Sequence, residues 1–401
     1  MLYLAYQAYS DIMVAVQEWA KIAVAGTQSV TEYPAGRNLS AAYELIARAG
    51  LTHTRPPFGI ETVTIGNREI EVREEAVAAT PFSTLLHFKK DVATEQPRVL
   101  LVAPLSGHFA TLLRATVRTM LPDHDVYITD WHNARDVPFT AGSFGSDEYI
   151  EHLISFLEAI GPGAHVVAVC QPCVAVLAAV ALMAQAQSPA QPRSMTLMAG
   201  PIDTRVNPSK VNELAKRRPI DWFDRTLTAC VPLRYPGAFR RVYPGFVQLG
   251  AFMSMNIERH AKAHRDLYDH LANGELEKAA AIKAFYDEYF AVLDLTAEFY
   301  LETVRFIFQE HALPRGQLRW RGSKVEPSAI RRTMLLTVEG ERDDICSIGQ
   351  TVAAHELCSK LRSYLKRHHM QAGVGHYGIF SGKRWENQVY PIVKNVILAS
   401  A

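Results

Sequence analysis

The residue best placed to do chemistry in this sequence is Cys170. The five residues before it, 165–169, have the apolar, β-branched character of a buried strand, and the Ala, Leu and Val run after Pro172 is typical of a buried helix. A side chain between a parallel strand and a helix lies at the carboxyl end of the sheet, near the helix N-terminus. Backbone N–H groups and the helix dipole favour a thiolate there and supply half of an oxyanion hole. Cys170 is therefore a candidate nucleophile.

Cys170 also has three other interpretations. A cysteine beside an apolar strand is frequently an inert core residue. The spacing between Cys170 and Cys173 also occurs in thioredoxin-like redox sites and in halves of zinc sites. The other cysteines form no second such pair, which disfavours zinc, and the motif lies within a long alternation of strands and helices rather than in a small thioredoxin-like unit. The rest of the chain must decide between a core residue and a catalyst.

Two downstream segments carry residues that can activate a thiol. A cysteine nucleophile needs a base to take its proton and a third group to fix the tautomer of that base. The acidic segment 339–344 comes after the last clear strand, and His376 lies in a loop of small residues, 373–378. Nucleophile, acid and histidine occur in this order in α/β-hydrolases. The order favours His376 over His108, which precedes the nucleophile.

The backbone is expected to supply the oxyanion hole. In proteins with this order of residues, one N–H group comes directly after the nucleophile and the other belongs to the loop after an earlier strand. Here those positions are Gln171 and the pair Ser106 and Gly107, which come after a strand at 99–102. Ser106 and Gly107 are equally well explained as ordinary turn residues.

The elements that position these residues begin with a helix and antiparallel strands. Residues 1–24 have the pattern of an amphipathic helix, whose favoured role is packing on the main domain and whose alternative role is a membrane or granule contact. Residues 26–57 are predicted to be rich in loops around Pro34–Gly36, with a short helix near 40–45. Two alternating runs joined by Gly66–Asn67 predict a hairpin, and residues 85–89 predict a third antiparallel strand. The apolar positions of the first helix are Leu4, Ile12, Val16, Trp19 and Ile22.

From residue 99 onward, strands and helices alternate. Ser146, with Asp147 and Glu148, is predicted to cap one of the helices, which runs to Ile160. The alternation predicts a mostly parallel, doubly wound sheet. The antiparallel strands at the start of the chain indicate that this sheet is mixed. The predicted strands are 99–102, 125–130, 165–169, 195–198 and 333–338.

About 130 residues without strand signals interrupt this alternation. We predict an α/β-hydrolase core at 58–203 and 331–401, a helical cap at 204–330 and an N-terminal helical extension at 1–57. An insertion at the catalytic edge lies over the active site, where loops carry function. The cap is rich in aromatic residues, and its segments of helical spacing are 250–271, 275–292 and 295–309.

Composition excludes several classes of protein. With 42 basic and 41 acidic residues the formal net charge is +1, so no broad attraction to nucleic acid or anionic lipid is expected. Five cysteines form no disulfide framework, and a reactive thiol is best preserved in a reducing compartment. The N-terminus lacks a basic signal-peptide region, and no apolar run reaches the roughly 18 to 20 residues of a membrane span. We expect a cytoplasmic protein without a membrane span.

Motifs spread from about residue 80 to 385 resemble those of the intracellular polyhydroxyalkanoate depolymerases, thiol enzymes that degrade stored polyhydroxybutyrate. The resemblance implies a triad of Cys170, Asp343 and His376 and a granule-associated enzyme without metal or cofactor. It also implies an acyl-enzyme and release of 3-hydroxybutyrate or its oligomers. Cys173 departs from the pattern of this family, in which a hydroxyl-bearing or small residue is expected at that position. The motifs are Pro81–Phe82, Leu85–Lys89, Ala103–His108, Val169–Pro172, Asp343-x-Ile345 and Gly375–Gly382.

Two alternatives remain beside the depolymerase. Polyhydroxyalkanoate synthases also use a thiol, but they place it in Gly-x-Cys-x-Gly, whereas Ala168 and Pro172 occupy the glycine positions here. A granule-binding protein without turnover would keep the fold and would not need an intact triad. The expected partner is the polymer or the granule surface, and a homo-oligomer is possible.

Overall fold

The strands build one large sheet and two small ones in the computed structural model, which describes residues 2–27, 29, 31–92, 95–255 and 257–400. The strands of the described residues are β1 (Thr62–Ile65), β2 (Arg68–Ala79), β3 (Ser83–Lys90), β4 (Arg98–Val102), β5 (Asp125–Trp131), β6 (His165–Val169), β7 (Ser194–Met198), β8 (Ala229–Cys230), β9 (Arg241–Tyr243), β10 (Leu295–Thr296), β11 (Arg319–Trp320), β12 (Ser323–Lys324), β13 (Met334–Gly340) and β14 (Lys366–Gln371).

The helices precede, flank and interrupt these strands. Those of the described residues are α1 (Leu2–Thr27), α2 (Pro34–Ala47), α3 (Arg114–Met120), α4 (Ser146–Ile160), α5 (Pro172–Gln185), α6 (Lys210–Arg217), α7 (Ile220–Leu227), α8 (Gly245–Met255), α9 (Ile257–Ala272), α10 (Leu276–Tyr289), α11 (Ala297–Thr303), α12 (Ala354–Leu357), α13 (Gly382–Arg384) and α14 (Tyr390–Ala399).

The large sheet has the order β1-β2-β3-β5-β4-β6-β7-β13-β14. The pairs from β1 to β3, and the pair of β3 with β5, are antiparallel, and every pair from β5 to β14 is parallel. The sequence predicted this mixed sheet but not β14, an edge strand whose polar residues are partly exposed. The carboxyl ends of the parallel strands therefore meet along one edge, where a site is expected.

The centre of the sheet explains why the sequence around Cys170 is so apolar. β6 lies between β4 and β7, and all five of its residues are buried. The next helix, α5, is buried from Pro172 to Met183 because it packs between the sheet and α4. Strands and helices that are buried on both faces have continuous apolar sequences. This core fixes the position of the turn that carries Cys170.

Two local predictions near helix starts were wrong. The predicted loop at Pro34–Gly36 is the first turn of α2, because proline is tolerated there without the loss of a hydrogen bond. The cap of α4 is Gly145 rather than Ser146: the Glu148 carboxylate accepts a hydrogen bond from the Gly145 N–H at 2.7 Å, whereas the Ser146 N–H donates to Glu302.

The segment 204–330 contains α6 to α11 and also short strands that the sequence did not indicate. β8, β9 and β10 form a small antiparallel sheet, and β11 and β12 form a hairpin. The predicted helix 250–271 corresponds to two helices, α8 and α9. A π-helical turn, Val304–Gln309, continues α11. Strands of two or three residues are too short to produce an alternating pattern.

Helix α1 lies against the rest of the protein by a different face from the predicted one. The side chains predicted to pack are exposed: Leu4 by 64%, Ile12 by 66% and Ile22 by 72%. On the opposite side Tyr3 is buried, and its hydroxyl donates a hydrogen bond to Asp294 Oδ2 at 2.7 Å. An amphipathic pattern identifies an apolar stripe but does not determine what covers it. The apolar stripe of α1 is thus open to solvent.

The order and direction of the strands are those of an α/β-hydrolase, with the helices on both faces of a mostly parallel sheet. Among the residues that the structure describes, no helix has both the length and the apolar character needed to cross a membrane.

Candidate active site

Cys170 occupies a strained turn at the carboxyl edge of the sheet. It comes directly after β6, and its φ of 68° lies in the left-handed region, which is uncommon for residues other than glycine. Its N–H donates a hydrogen bond to the Met198 carbonyl at 2.8 Å, which ties the turn to the neighbouring strand β7. Strained backbone of this kind persists when the surrounding structure holds it, and it is concentrated at functional sites. The thiol remains partly accessible.

Cys173 differs from Cys170 in every respect that matters for reactivity. Its side chain is fully buried, and its Sγ lies 3.5 Å from the Ala168 carbonyl and 3.6 Å from the Met198 carbonyl. Burial, reinforced by the nearby Cys170, raises the pKa of the Cys173 thiol well above its usual value. A Cβ atom on Gly200 would lie 2.1 Å from the Cys173 Cβ, so a glycine is needed there. Cys173 is a packed core residue.

Asp343 and His376 form a buried hydrogen-bonded pair. Asp343 comes after β13, and its Oδ1 accepts hydrogen bonds from the N–H groups of Ile345 and Cys346, each at 2.9 Å. Its other oxygen, Oδ2, lies 2.8 Å from His376 Nδ1. A protonated Nδ1 therefore donates to the carboxylate, which leaves Nε2 free to act on a nucleophile. The neighbouring Asp344 is exposed on the surface.

Opposing effects act on the imidazole of His376. Burial lowers its pKa, but the neighbouring Cys170 and Asp343 raise it by charge and by hydrogen bonding, and they outweigh burial. The pKa of His376 is therefore raised well above its usual value, so the site stabilises the imidazolium form of His376. The structure thus brings together the three residues that the sequence singled out.

Of the predicted oxyanion residues, Gln171 follows Cys170 directly in the chain. Gln171 begins the turn into α5, and in the described part of the chain its N–H has no hydrogen-bond acceptor. The loop with Ser106 and Gly107 comes after β4, the direct neighbour of β6 in the sheet. Gly107 has a φ of 92°, and its carbonyl accepts a hydrogen bond from the Leu293 N–H at 2.9 Å. This contact joins the loop to the segment 204–330.

His108 does not take the place of His376. Its ring is buried, and burial lowers its pKa to about 4, so it stays neutral at ordinary pH. It packs against Tyr289, with 5.1 Å between ring centroids, whereas Asp343 is bonded to His376. Because its pKa is low, His108 would be a weak base.

An apolar cavity of about 280 Å³, here called the aromatic cavity, opens beside the Asp343–His376 pair. Ile345 and Tyr377, which lie next to that pair in the chain, line it. Burial raises the pKa of Tyr377 well above its usual value, and Tyr289 and Cys170 add to the effect, so Tyr377 lies close to the thiol as well. The aromatic side chains of the cavity are Phe252, Phe285, Tyr286, Tyr289 and Tyr377.

Sequence analysis did not identify the aromatic cavity. Tyr377 stands in the recognised Gly–His loop, and the cap was expected over the active site, but the sequence did not indicate which cap helices would pack against that loop. A larger cavity of about 420 Å³ lies between α1 and the helices α8 to α10, and Cys170, Asp343 and His376 are not among the described residues that line it. The aromatic cavity is associated with the candidate active site through Tyr377, which follows His376 in the chain and lies close to the Cys170 thiol.

Comparisons with solved structures find distant similarities. A putative lipase from Acinetobacter baumannii is 14% identical, with a TM-score of 0.43 over 82% of this chain and 93% of the lipase. A putative aryl esterase from Burkholderia cenocepacia is 11% identical, with a TM-score of 0.47 over 81% of this chain and all of the esterase. These similarities are too distant to inform the function.

Sequence comparison is more specific. No curated protein sequence matches the chain. The family model described as "PHB de-polymerase C-terminus" matches residues 199–401, which is half of the chain and includes Asp343 and His376. The chain belongs to the PHB depolymerase family.

Proposed function

We propose that the protein hydrolyses the ester bonds of stored polyhydroxybutyrate through an acyl-enzyme on Cys170. Membership of the PHB depolymerase family supports an ester hydrolase. The observation that carries the proposal is the 2.8 Å hydrogen bond between His376 and Asp343 beside a thiol held in a left-handed turn. A thiol, a buried imidazole and an orienting carboxylate are the parts needed for nucleophilic acyl transfer.

In this mechanism, His376 takes the proton of Cys170, and the thiolate attacks the ester carbonyl carbon. The oxyanion is stabilised by the Gln171 N–H and by the loop of Ser106 and Gly107. The ester C–O bond then breaks, and His376 returns its proton to the leaving alcohol. Water, activated by His376, hydrolyses the thioester and releases 3-hydroxybutyrate or an oligomer. Asp343 holds the imidazole in the required tautomer throughout.

The segment 204–330 is proposed to act as a cap over this site. The contact of Gly107 with Leu293 and the aromatic cavity formed by α8, α9 and α10 support this role. A polyester chain is apolar, so its binding needs an apolar surface near the thiol, and the cap aromatics offer one. The cap boundaries are those predicted from the sequence, between core segments 58–203 and 331–401.

We further propose that the protein works on polymer granules in the cytoplasm. The open apolar stripe of α1 supports this location, since exposed patches of this type mark interaction sites. All five cysteines are free, in keeping with a reducing compartment. Sedimentation with amorphous granules tests the contact, and the double variant Ile12→Ser with Ile22→Ser should bind the granules more weakly. The control is Val14→Ser with Leu214→Ser, two residues that are exposed outside the stripe, and this double variant should bind as the wild type does. Equal binding by both double variants would contradict the role of α1.

The activity is tested with amorphous polyhydroxybutyrate granules, with and without an alkylating agent for thiols, and the products are then identified. The expected result is release of 3-hydroxybutyrate or short oligomers that alkylation abolishes. Elongation of the polymer from an acyl thioester donor would favour a synthase-like acyltransferase. Binding of granules without any product would favour a non-catalytic granule protein.

A further inference from the structure

The aromatic cavity contains one feature that polymer binding alone does not require. Among the described residues that line it, most side chains are apolar or aromatic, His260 is kept neutral because burial lowers its pKa, and Arg259 carries a fixed charge. Arg259 and His260 are in the first turns of α9, and His260 Nδ1 is hydrogen-bonded to the Tyr286 hydroxyl at 2.9 Å. The cavity is thus an apolar space with a single cation.

Arg259 lines the cavity with a side chain that is exposed to solvent, and it has no acidic partner among the described residues. Its charge acts on Tyr286, Tyr289 and Tyr377, lowering the pKa of each phenol against the larger effect of burial. In the described parts of the chain, no carboxylate lies within ion-pair distance of Arg259. Arginine presents a planar set of donors that matches a carboxylate, and such pairs are among the strongest hydrogen bonds in proteins. An anion with an apolar body would match both features of this site.

We propose that the aromatic cavity binds the carboxyl end of a polyester chain, with Arg259 paired to the terminal carboxylate. This binding mode rests on the ester hydrolysis proposed above. An uncharged ester chain carries one carboxylate, at its end, so the charge of Arg259 distinguishes that end from every internal segment. The volume of about 280 Å³ is at the lower limit of ordinary ligand pockets, which suits a short terminal segment rather than a folded-back chain.

The direction of the polyester then decides which product leaves. Each repeat joins its acyl carbon to the hydroxyl oxygen of the next repeat toward the carboxyl end, so the carboxylate always belongs to the alcohol side of the bond that is cut. When the Cys170 thiolate attacks, a C–S bond forms and the C–O bond of that alcohol breaks. The proton from His376 goes to the alkoxide oxygen. A short hydroxy acid that carries the original carboxylate leaves first, and the rest of the chain stays on Cys170 until water cleaves the thioester.

The trimer of 3-hydroxybutyrate, as the free acid and as its methyl ester, tests this assignment. The two substrates share every ester bond between repeats, and only the acid has a carboxylate. The wild-type protein should prefer the acid by about tenfold in kcat/KM, mostly through KM, as expected for a charge-assisted hydrogen bond at a partly open site. Arg259→Gln should remove this preference. Arg259→Lys should keep part of it, because lysine retains the charge without the planar donors.

Arg265 provides a matched control. It is exposed on the same helix and does not line the aromatic cavity. Arg265→Gln should keep the wild-type preference for the acid. A wild-type protein that treats the two trimers alike, or an Arg259→Gln variant that retains the preference, would overturn the assignment.

A separate measurement keeps this inference distinct from the proposed reaction. Calorimetric titration of the Cys170→Ala variant with each trimer reports binding without turnover. If the wild-type protein hydrolyses neither trimer, the proposed function fails, and the binding data still decide the role of Arg259. Tighter binding of the acid, lost when Arg259→Gln is added, supports the assignment, and equal binding of the two trimers refutes it.

Discussion

Replacement of Asp343 by asparagine tests the catalytic pair without disturbing the fold. Two backbone N–H groups donate to Oδ1 of this carboxylate, and Oδ2 faces His376 Nδ1. In Asp343→Asn the amide oxygen can keep both backbone bonds. The NH₂ group then takes the position of Oδ2 and presents a donor to the imidazole.

The consequence is the wrong tautomer of His376. Because Nδ1 must now accept a hydrogen bond, the imidazole proton moves to Nε2, and Nε2 can no longer take the proton of Cys170. In the serine-protease triad the corresponding change costs about 10⁴ in kcat. We expect a similar loss here, equivalent to ~5 kcal/mol of activation free energy.

The assay is the hydrolysis of a short chromogenic ester, combined with thermal unfolding. Asp344→Asn is the matched control, since this neighbour is exposed and should keep kcat within about twofold. The unfolding temperature of Asp343→Asn should stay close to that of the wild type. The reasoning would be refuted if Asp344→Asn lost most of its kcat, or if Asp343→Asn kept more than a tenth of the wild-type kcat.

Three further predictions concern the thiols, the cap and pH. Cys170→Ala should abolish ester hydrolysis, whereas Cys173→Ala should retain most of it, and the reverse result would exchange their roles. Phe285, 37% exposed in the lining of the aromatic cavity, should contribute to polymer docking. Phe285→Ala should lower granule hydrolysis about tenfold and spare a short soluble ester. Leu276→Ala, exposed on the same helix outside the cavity, should change neither rate, and equal loss of both rates in Phe285→Ala would assign it a structural role. Stability measured by urea unfolding should fall as pH is lowered from about 6.5 to about 4. In that range the unfolded chain binds more protons than the folded chain, because burial lowers the pKa of several histidines to about 4 in the folded state. His376, whose pKa is raised, acts in the opposite direction. A free energy of unfolding that does not change with pH would contradict the argument. The histidines whose pKa burial lowers to about 4 are His108, His124, His165 and His355.

The position of the candidate site was predictable because the carboxyl ends of parallel strands meet at one edge of a sheet. β4, β6 and β13 are central and buried, so their apolar runs are clear in the sequence, and the residues directly after each run lie at the same edge of the sheet. This rule places the loop 103–108, Cys170 and Asp343 together. The left-handed conformation of Cys170 is not predictable in this way, because it depends on the bond to β7 and the close contact of Gly200.

The features that the sequence failed to predict depend on long-range packing or on polar surfaces. β14 is an edge strand with the sequence KRHHMQ, whose partly exposed residues lack an apolar period. The aromatic cavity joins residues of α8, α9 and α10 to Tyr377, and periodicity cannot say that these distant segments meet. The stripe on α1 was recognised as apolar, but its exposure is decided by Tyr3 and the residues that anchor the opposite face.

The bond between Tyr3 and Asp294 links the lifetime of the protein in the cell to its first helical turn. Asp294 is fully buried, and burial raises its pKa; it accepts hydrogen bonds from the Gly245 N–H at 2.9 Å and from the Tyr3 hydroxyl at 2.7 Å. Loss of the Tyr3 hydroxyl would leave one oxygen of Asp294 without this donor, at a cost of about 1–3 kcal/mol. Losses of this size change the abundance of a marginally stable protein several-fold through cellular quality control. Loss of this single hydroxyl would thus lower the amount of the protein several-fold and leave every residue of its candidate active site intact.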